Sequence, residues 1–476
     1  MVWTRSQTAF IARGTFRFLD LPPEITARII NNLDLKSIQS FRLASRQFAS
    51  RCLTPHFLGH FAHQKLNLLL EETTRLAEKS TGSAIVSVAI KHVTIDATRF
   101  SFLDSEQYDD ELVDSMATAF RAISSLDRIE IGGPQEKLGG RAKGTAMKRG
   151  AKIPRMSEPV THRAAAGFTL VMSAIAKSGV AIKELVVFRA PAWCRGMLQS
   201  IVFAELLPTL NAKNSRFSDA AGAIKKFSTS LATRRNLLEV RHGLMGRRER
   251  DDHCLPATSS LATAKENFFG LAGMLHHMPN LKTLDIHFYD TLIGTTDAYS
   301  EIFDFIADSL TLPYLENLSL DMLPVKERSL LKFLKKSPML QKASFKWVRL
   351  TEGTWKPIFR YLSDEAPHLS KIHLASIADS KTSMVNLCPS RGSKSSKSEL
   401  HDLLGKETEA GNGYVCSEGT MIHRREFREG QIRGELVFED ERVGSPLDST
   451  EWQKYTAVLK AKSDRNWEKL ETEYGY

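Results

Sequence analysis

Residue types that often carry out bond chemistry occur in this sequence, but their spacing predicts no active site. The stretch GGRAKGT (Gly139–Thr145) resembles a phosphate-binding loop, yet it lacks the GK[ST] ending and no predicted strand leads directly into it. The pairs His276–His277 and His253–Cys254 lack the spacing of metal ligands. Cys194 has no activating partner visible in the sequence, and no GxSxG turn occurs. We therefore expect no catalytic residue, no metal and no cofactor, in a protein that is not an enzyme.

The composition is that of a folded chain with several units. Its 476 residues suggest about three domains, and a hydrophobic fraction of 42% is enough to bury a sizeable core. The five cysteines form no CxxC pair, which favours a reducing compartment. No apolar run approaches the ~18 residues that a membrane span needs. We therefore expect a protein of the cytoplasm or nucleus that does not contact a membrane.

Much of the formal net charge of +10 lies in segments without periodic apolar residues. Residues 136–163 carry eight Lys or Arg against two Glu, so we predict a basic disordered insertion there. A second basic insertion is predicted at about 245–260, and a polar loop at 379–425. Residues 1–16 are predicted to form a flexible tail, with a mitochondrial transit peptide as the alternative.

One short pattern recurs along the chain: apolar, two residues, apolar, one residue, apolar. In a strand, residues two apart share a face, so the last two apolar residues of each copy point into one core. Apolar residues at helical spacing lie between the copies. Strand plus helix every ~25–35 residues predicts an irregular leucine-rich-repeat solenoid over residues 61–378, with an ordinary α/β domain as the alternative. The seven full copies and a weaker eighth are Ile90–Ile95, Leu126–Ile131, Ile182–Val187, Leu281–Ile286, Leu315–Leu320, Leu340–Phe345, Leu369–Leu374 and Arg235–Val240.

The stretch LPPEITARIINNL (Leu21–Leu33) predicts a short helix with one apolar face. Pro23 suits the first helical position, because its missing N–H costs nothing there. Two more short helices are predicted, with Asp34 and Ser45 as their N-caps. Three short helices bury too little surface to be stable alone, since folds below ~40 residues usually need a staple or a partner. We interpret the segment as a docking module that another protein completes.

These residues resemble an F-box over residues 17–60. The resemblance rests on LPPEI, on the following isoleucine pair, on LDLKSI and on FRLASRQF, and the ending is similar to F-box proteins of filamentous fungi. Ala44 stands where many members of the family carry valine. The predicted fold class is therefore mixed α+β and α/β, with a three-helix F-box followed by the repeat solenoid.

The resemblance implies a substrate-recognition subunit of an SCF-type cullin-RING ubiquitin ligase. The F-box would bind a Skp-type adaptor and, through it, the cullin and RING subunits, while the repeats would hold an unknown target protein. An internal core role is the alternative for some of the implied contacts. The adaptor-binding residues implied by the family are Leu21, Pro22, Glu24, Ile25, Ile29, Leu33, Ile38 and Phe41.

The target would lie on the sheet face that the apolar pattern leaves polar. That face turns basic toward the C-terminus, which would suit an acidic or phosphorylated target, although a merely solvated face explains it equally well. The candidate target-facing residues are Asp285, His287, Ser319, Asp321, Lys342, Lys346, Lys371 and His373.

Two other functions remain open. The basic loops suit a scaffold that binds nucleic acid, but they lack interleaved aromatic residues, so we expect no nucleic acid partner. An F-box protein that uses the adaptor outside ubiquitylation is the other alternative. Residues 426–476 are predicted to form a strand (Gly434–Asp440) and a helix that cap the last repeat.

Overall fold

The computed structural model describes residues 21–98, 106–133, 158–189, 198–234, 260–289 and 297–380, together with Val385, Arg424–Arg428 and Ile432. None of the helices within these ranges is long and apolar enough to cross a membrane. The predicted basic insertion at 245–260 lies outside the described residues except for its last residue, and the predicted strand Gly434–Asp440 lies wholly outside them.

Four short helices begin the described chain, one more than predicted. They are α1 (Pro23–Ile30), α2 (Leu35–Ala44), α3 (Arg46–Arg51) and α4 (Pro55–Gly59).

Side-chain caps explain where three of these helices start. Asp34 accepts a hydrogen bond from the Ser37 N–H at 2.8 Å, and Ser45 accepts one from the Phe48 N–H at 3.1 Å, so both predicted caps are confirmed. Thr54 caps α4 in the same way, through the Phe57 N–H at 3.3 Å. The Ser37 hydrogen bonds also hold the pKa of Asp34 below its ordinary value.

The rest of the described chain alternates strands with helices. The strands are β1 (His63–Asn67), β2 (His92–Asp96), β3 (Arg128–Gly132), β4 (Glu184–Val187), β5 (Leu198–Gln199), β6 (Lys226–Ala232), β7 (Thr283–Tyr289), β8 (Asn317–Asp321), β9 (Pro324–Lys326), β10 (Lys342–Lys346), β11 (Arg349–Glu352), β12 (Lys371–Ala375) and β13 (Arg424–Arg428). The helices are α5 (Leu70–Gly82), α6 (Ala84–Ala89), α7 (Glu106–Ala122), α8 (Glu158–Ser178), α9 (Ile201–Leu210), α10 (Phe217–Ala221), α11 (Glu266–Leu275), α12 (Ser300–Ser309), α13 (Glu327–Lys335) and α14 (Lys356–Arg360), the last continued by a π-helical turn over Tyr361–Glu365.

Within the described residues, eleven of these strands form one sheet in which neighbours follow chain order. The path is β1-β2-β3-β4-β6-β7-β8-β10-β12-β13, with β5 beside β6, while β9 and β11 form a separate pair. All neighbours pair in parallel except β12 and β13, which are antiparallel. The fold is therefore a mixed α/β structure built on a mostly parallel sheet.

All seven full copies of the apolar pattern contain a strand, which begins two residues after the first apolar position. Six strands were missed: β5, β9, β11 and β13 lie outside any copy of the pattern, whereas β1 and β6 stand at repeat positions where the pattern is broken. In β6 the last apolar place of the pattern is held by Thr229, and in β1 the middle place is held by Gln64. The weaker copy at Arg235–Val240 lies outside the described residues.

The helices cover the apolar face of the sheet and form one continuous core with it. The core runs from Leu68 near β1 to Phe427 in β13. Close helix contact occurs at Gly270 in α11, where a Cβ atom would lie 2.1 Å from the backbone nitrogen of Ala204 in α9. A side chain at this position would push the two helices apart.

Two predicted boundaries were wrong. The predicted insertion at 136–163 extends too far, because residues 158–163 belong to α8, while residues 136–157 lie outside the described residues. Pro159 sits in the first turn of that helix, where proline is tolerated, and buried residues such as Phe168 and Met172 hold it on the core. The predicted polar loop at 379–425 overlaps β13, whose Phe427 is fully buried and pairs in register with Ile372.

Candidate adaptor and target interfaces

The four N-terminal helices enclose a small core of their own. Ile30, Ile38, Cys52 and Phe57 are buried in it, and the guanidinium of Arg42 lies 4.4 Å from the centre of the Phe57 ring. The adaptor contact predicted through Ile38 is corrected here. Its side chain is completely inaccessible, so it holds the helices together and cannot touch another protein.

Two isoleucines of α1 project from the opposite side of that helix. Ile25 and Ile29 are 44% and 38% exposed, although each is strongly apolar. They are four residues apart and so lie on one helix face. Thr26 and Ile30, on the other side, are buried. We call Ile25 and Ile29, with the exposed residues Pro22 and Glu24 at the start of the helix, the α1 ridge.

The other three predicted adaptor residues are half-buried and already serve the chain's own packing. The Leu21 carbonyl accepts a hydrogen bond from Arg51 at 3.1 Å. Leu33 packs against the small core. Phe41 stacks on Phe48 with ring centres 4.4 Å apart. Each of the three residues remains partly accessible.

Leu43 is an exposed residue that the sequence analysis did not select. It is 87% exposed at the end of α2, more than any other large apolar residue among those described. Helical spacing gives the signal, because Leu43 lies five positions from the buried Ile38, on the far side of the helix. An apolar residue there has no role in the packing of its own helix.

Only three residues separate the end of the helical module at Gly59 from the first strand of the sheet at His63. Immediately after α4, the carbonyl of Ala62 accepts hydrogen bonds from the N–H groups of Lys91 and His92, both at 2.9 Å. Helix α4 also packs on α6, and β1 pairs with β2 over its whole length. The direction of the module is therefore tied to the first strands of the sheet.

At the N-terminal end of the sheet, the charged side chains of the polar face form ion pairs with one another. Arg128 contacts Glu130 at 2.7 Å and Glu184 at 3.3 Å, and Lys226 contacts Glu184 at 2.6 Å. Each cation here therefore has a carboxylate partner on a neighbouring strand or on its own.

Two histidines lie beside this network. His63 and His92 stack with ring centres 4.0 Å apart, and both approach the Thr94 hydroxyl. Burial, followed by the neighbouring His63 and Arg128, lowers the pKa of His92 to about 4, against an opposing effect of Glu130 and Glu184. Burial also lowers the pKa of His63. The pair is therefore neutral near pH 7.

The centre of the polar face is covered by an arginine from a distant part of the chain. Arg189, which follows β4, donates to both carboxylate oxygens of Asp285, at 2.7 and 3.2 Å, and lies 3.6 Å from Asp321. His287 follows Asp285 by two residues on β7 and pairs in register with Asp321; it is 1% exposed, with its ring 3.0 Å from the Ser230 hydroxyl. The predictions that His287 and Asp321 face a target are corrected, because both are buried.

The C-terminal end of the polar face is more open. Lys342 is exposed, and Lys346, Lys371 and His373 are half-buried. Lys371 contacts Glu426 of β13 at 2.9 Å. Ser344 approaches the His373 ring at 3.3 Å. Six of the eight predicted target-facing residues are thus at least partly accessible. They are Lys342, Lys346, Lys371 and His373, together with Asp285 and Ser319.

The described residues contain no cluster of three or more side chains that could hold a metal ion. His277, one of the paired histidines in the sequence, bridges the Ser218 hydroxyl at 2.9 Å and the Asn211 amide oxygen at 3.0 Å. Burial lowers its pKa. These contacts tie the loop before α10 and the start of α10 to the end of α11, which is a structural role.

Comparison with known proteins identifies the N-terminal module. Residues 18–59 match the F-box domain model, and a search of curated proteins found no match for the chain. The match spans α1 to α4, the helices that surround the small core and carry the α1 ridge. The chain therefore carries an F-box domain at its N-terminal end, a domain that in general binds Skp-type adaptors.

Proposed function

We propose that this protein is a substrate-recognition subunit of an SCF-type cullin-RING ubiquitin ligase. The observation that carries the proposal is the F-box match at residues 18–59, together with an α1 ridge whose isoleucines face solvent while Thr26 and Ile30 of the same helix are buried. An apolar ridge on a rigid helix is what a helix-binding adaptor groove requires. The contacts to the adaptor would come from the α1 ridge, from the accessible parts of Leu21, Leu33 and Phe41, and from Leu43.

The repeated strand–helix units belong, on this proposal, to an irregular leucine-rich-repeat solenoid of the kind that fungal F-box proteins carry. Consecutive parallel strands and a core shared between neighbouring units support that assignment. The polar face of the sheet would then hold the target protein, which the ligase modifies in the cytoplasm or nucleus.

The protein itself would make and break no bonds. Its contribution would be proximity, because a target and a ubiquitin-charged enzyme held in one complex react as if at high local concentration. The joint between α4, α6 and β1 supports this role, since it fixes the direction of the sheet relative to the adaptor-binding helices.

The proposal is tested by reconstitution with purified Skp-type adaptor, cullin and RING subunit. We expect the wild-type chain to co-purify with all three and a Leu21→Ala/Pro22→Ala variant to lose the adaptor. Full adaptor binding by that variant would contradict the proposed interface. A complex that contains the adaptor but never the cullin would instead favour a role outside ubiquitylation.

A further inference from the structure

Strand β10 carries the cations that the polar face does not neutralise. Lys342 and Lys346 form no ion pair with any other described residue, whereas Arg128, Arg189, Lys226 and Lys371 all contact a carboxylate. Asp321, which pairs in register with Lys346 on β8, contacts Arg189 instead, so among the described residues no ion pair neutralises either lysine.

The distance between these two lysines limits what they can bind. They are four residues apart on one strand and on the same face, so their backbones are separated by about 13 Å. Because side chains stand roughly perpendicular to a sheet, the two ammonium groups offer positive charge at two separate points rather than at one. Two carboxylates four residues apart in an extended peptide have the same spacing, because that peptide has the same rise per residue.

An apolar edge lies directly beside Lys346. Met322 follows β8 and Trp347 follows β10, and both have a left-handed backbone, with φ of 61° and 55°. The Met322 N–H donates to the Lys346 carbonyl at 2.8 Å, which keeps the two strand ends together. Met322 is 40% exposed and Trp347 is half-buried, so two partly exposed apolar residues adjoin Lys346 at the ends of β8 and β10.

We propose that Lys342, Lys346, Met322 and Trp347 form a docking site for an extended acidic segment of a target protein. Two carboxylates of the segment would contact the lysines, and an apolar side chain after the second carboxylate would lie on Met322 and Trp347. This inference rests on the proposed function, and it adds the chemical class of the target segment.

Charge complementarity favours a peptide over nucleic acid at this site. The face around the lysines also carries the carboxylates of Asp285, Asp321 and Glu426, which would repel a phosphate backbone as it crossed the neighbouring strands. An acidic peptide that runs along β10 avoids the carboxylates of β7 and meets both lysines, and the Asp321 carboxylate beside Lys346 is already held by Arg189.

The test uses the full chain and a fluorescent synthetic peptide that has two glutamates four residues apart, with a phenylalanine two residues after the second, so that all three side chains share one face of the extended peptide. We expect saturable binding that weakens with salt and falls at least about tenfold in Lys342→Glu/Lys346→Glu. The control is Lys213→Glu/Lys265→Glu, which changes the net charge equally at two exposed lysines off the sheet. Met322→Gln should weaken binding severalfold, and it tests the apolar edge without altering a charge.

Four results would overturn the inference: no binding of the two-glutamate peptide, equal loss in the control, binding only of a singly phosphorylated peptide that lacks the glutamates, or tighter binding of single-stranded RNA through the same lysines. Thermal denaturation of each variant shows whether it is folded. Adaptor binding is measured on the same samples, so a failed peptide experiment with an intact adaptor complex rejects the docking site alone.

Discussion

Removal of the α1 ridge should weaken adaptor binding without unfolding the chain. Burying a whole isoleucine side chain contributes about 1.5–3 kcal/mol. Ile25 and Ile29 leave 44% and 38% of their surface exposed, so covering both remainders is worth nearly 2 kcal/mol. Ile25→Ala/Ile29→Ala should therefore raise the Kd for a Skp-type adaptor about 20-fold. The helix itself should not suffer, because alanine has the higher helix propensity.

The chain offers a matched control on another helix. Ile85 and Val88 of α6 are 43% and 58% exposed, and they too lie on one helix face. Ile85→Ala/Val88→Ala removes similar exposed apolar surface outside the F-box match. Titration of labelled adaptor against both variants and the wild-type chain gives the three Kd values. Unchanged affinity in the Ile25/Ile29 variant, or an equal loss in the control, would refute the assignment of the adaptor surface to α1.

Three further predictions concern the interior. Gly270→Ala should lower the melting temperature, because its Cβ would meet the Ala204 backbone and cost at least ~2 kcal/mol. The control Gly82→Ala has open space around it and should not lower the melting temperature. Equal shifts in the two variants would show that the helices can separate freely. Ile38→Ala should destabilise the F-box helices by ~2–4 kcal/mol, seen as faster hydrogen exchange in α2, with adaptor binding restored at lower temperature; unchanged exchange would mean that Ile38 is not a core residue. The folded pKa of His92 lies below its unfolded value, so the unfolded chain binds more protons between about pH 6.5 and 4. The free energy of unfolding should therefore decrease as the pH is lowered from about 6.5 to 4. Urea unfolding should show that fall reduced by up to ~3 kcal/mol in His92→Gln, and identical pH profiles would remove His92 as its source.

The repeating strands could be predicted because each satisfies a local rule. An apolar residue at every second place is needed wherever one face of a strand meets the core, and seven strands follow it without exception. Strands β1 and β6, which were missed although they stand at repeat positions, break the rule for different reasons. Strand β1 is at the edge of the sheet, where Gln64 needs only partial burial. In β6 the sheet buries Thr229 completely, and the pattern has no means of recognising a threonine as interior.

Which residues of the polar face are accessible could not be predicted from local rules, because their exposure depends on residues far away in the chain. His287 has the strand position of an exposed residue, yet it is buried beside Asp285, whose partner Arg189 is 96 positions away. Ile38 presents the same problem in the F-box. It shares a helical stripe with Leu35 and Phe41, and its full burial depends on Ile30, Cys52 and Phe57, which lie in or directly after the other three helices and which the stripe does not reveal.

The order of the strands has a consequence for how the two ends of the molecule could act together. The F-box adjoins β1, and the proposed acidic-peptide site lies on β10, seven strand positions away. At about 4.8 Å per strand, the path along the sheet is about 34 Å. One continuous core covers that path, so neither end can rotate without disrupting packed helices such as α9 and α11. A target segment on β10 would therefore be held at a fixed distance and direction from the adaptor, which is the geometric condition that proximity-driven transfer requires.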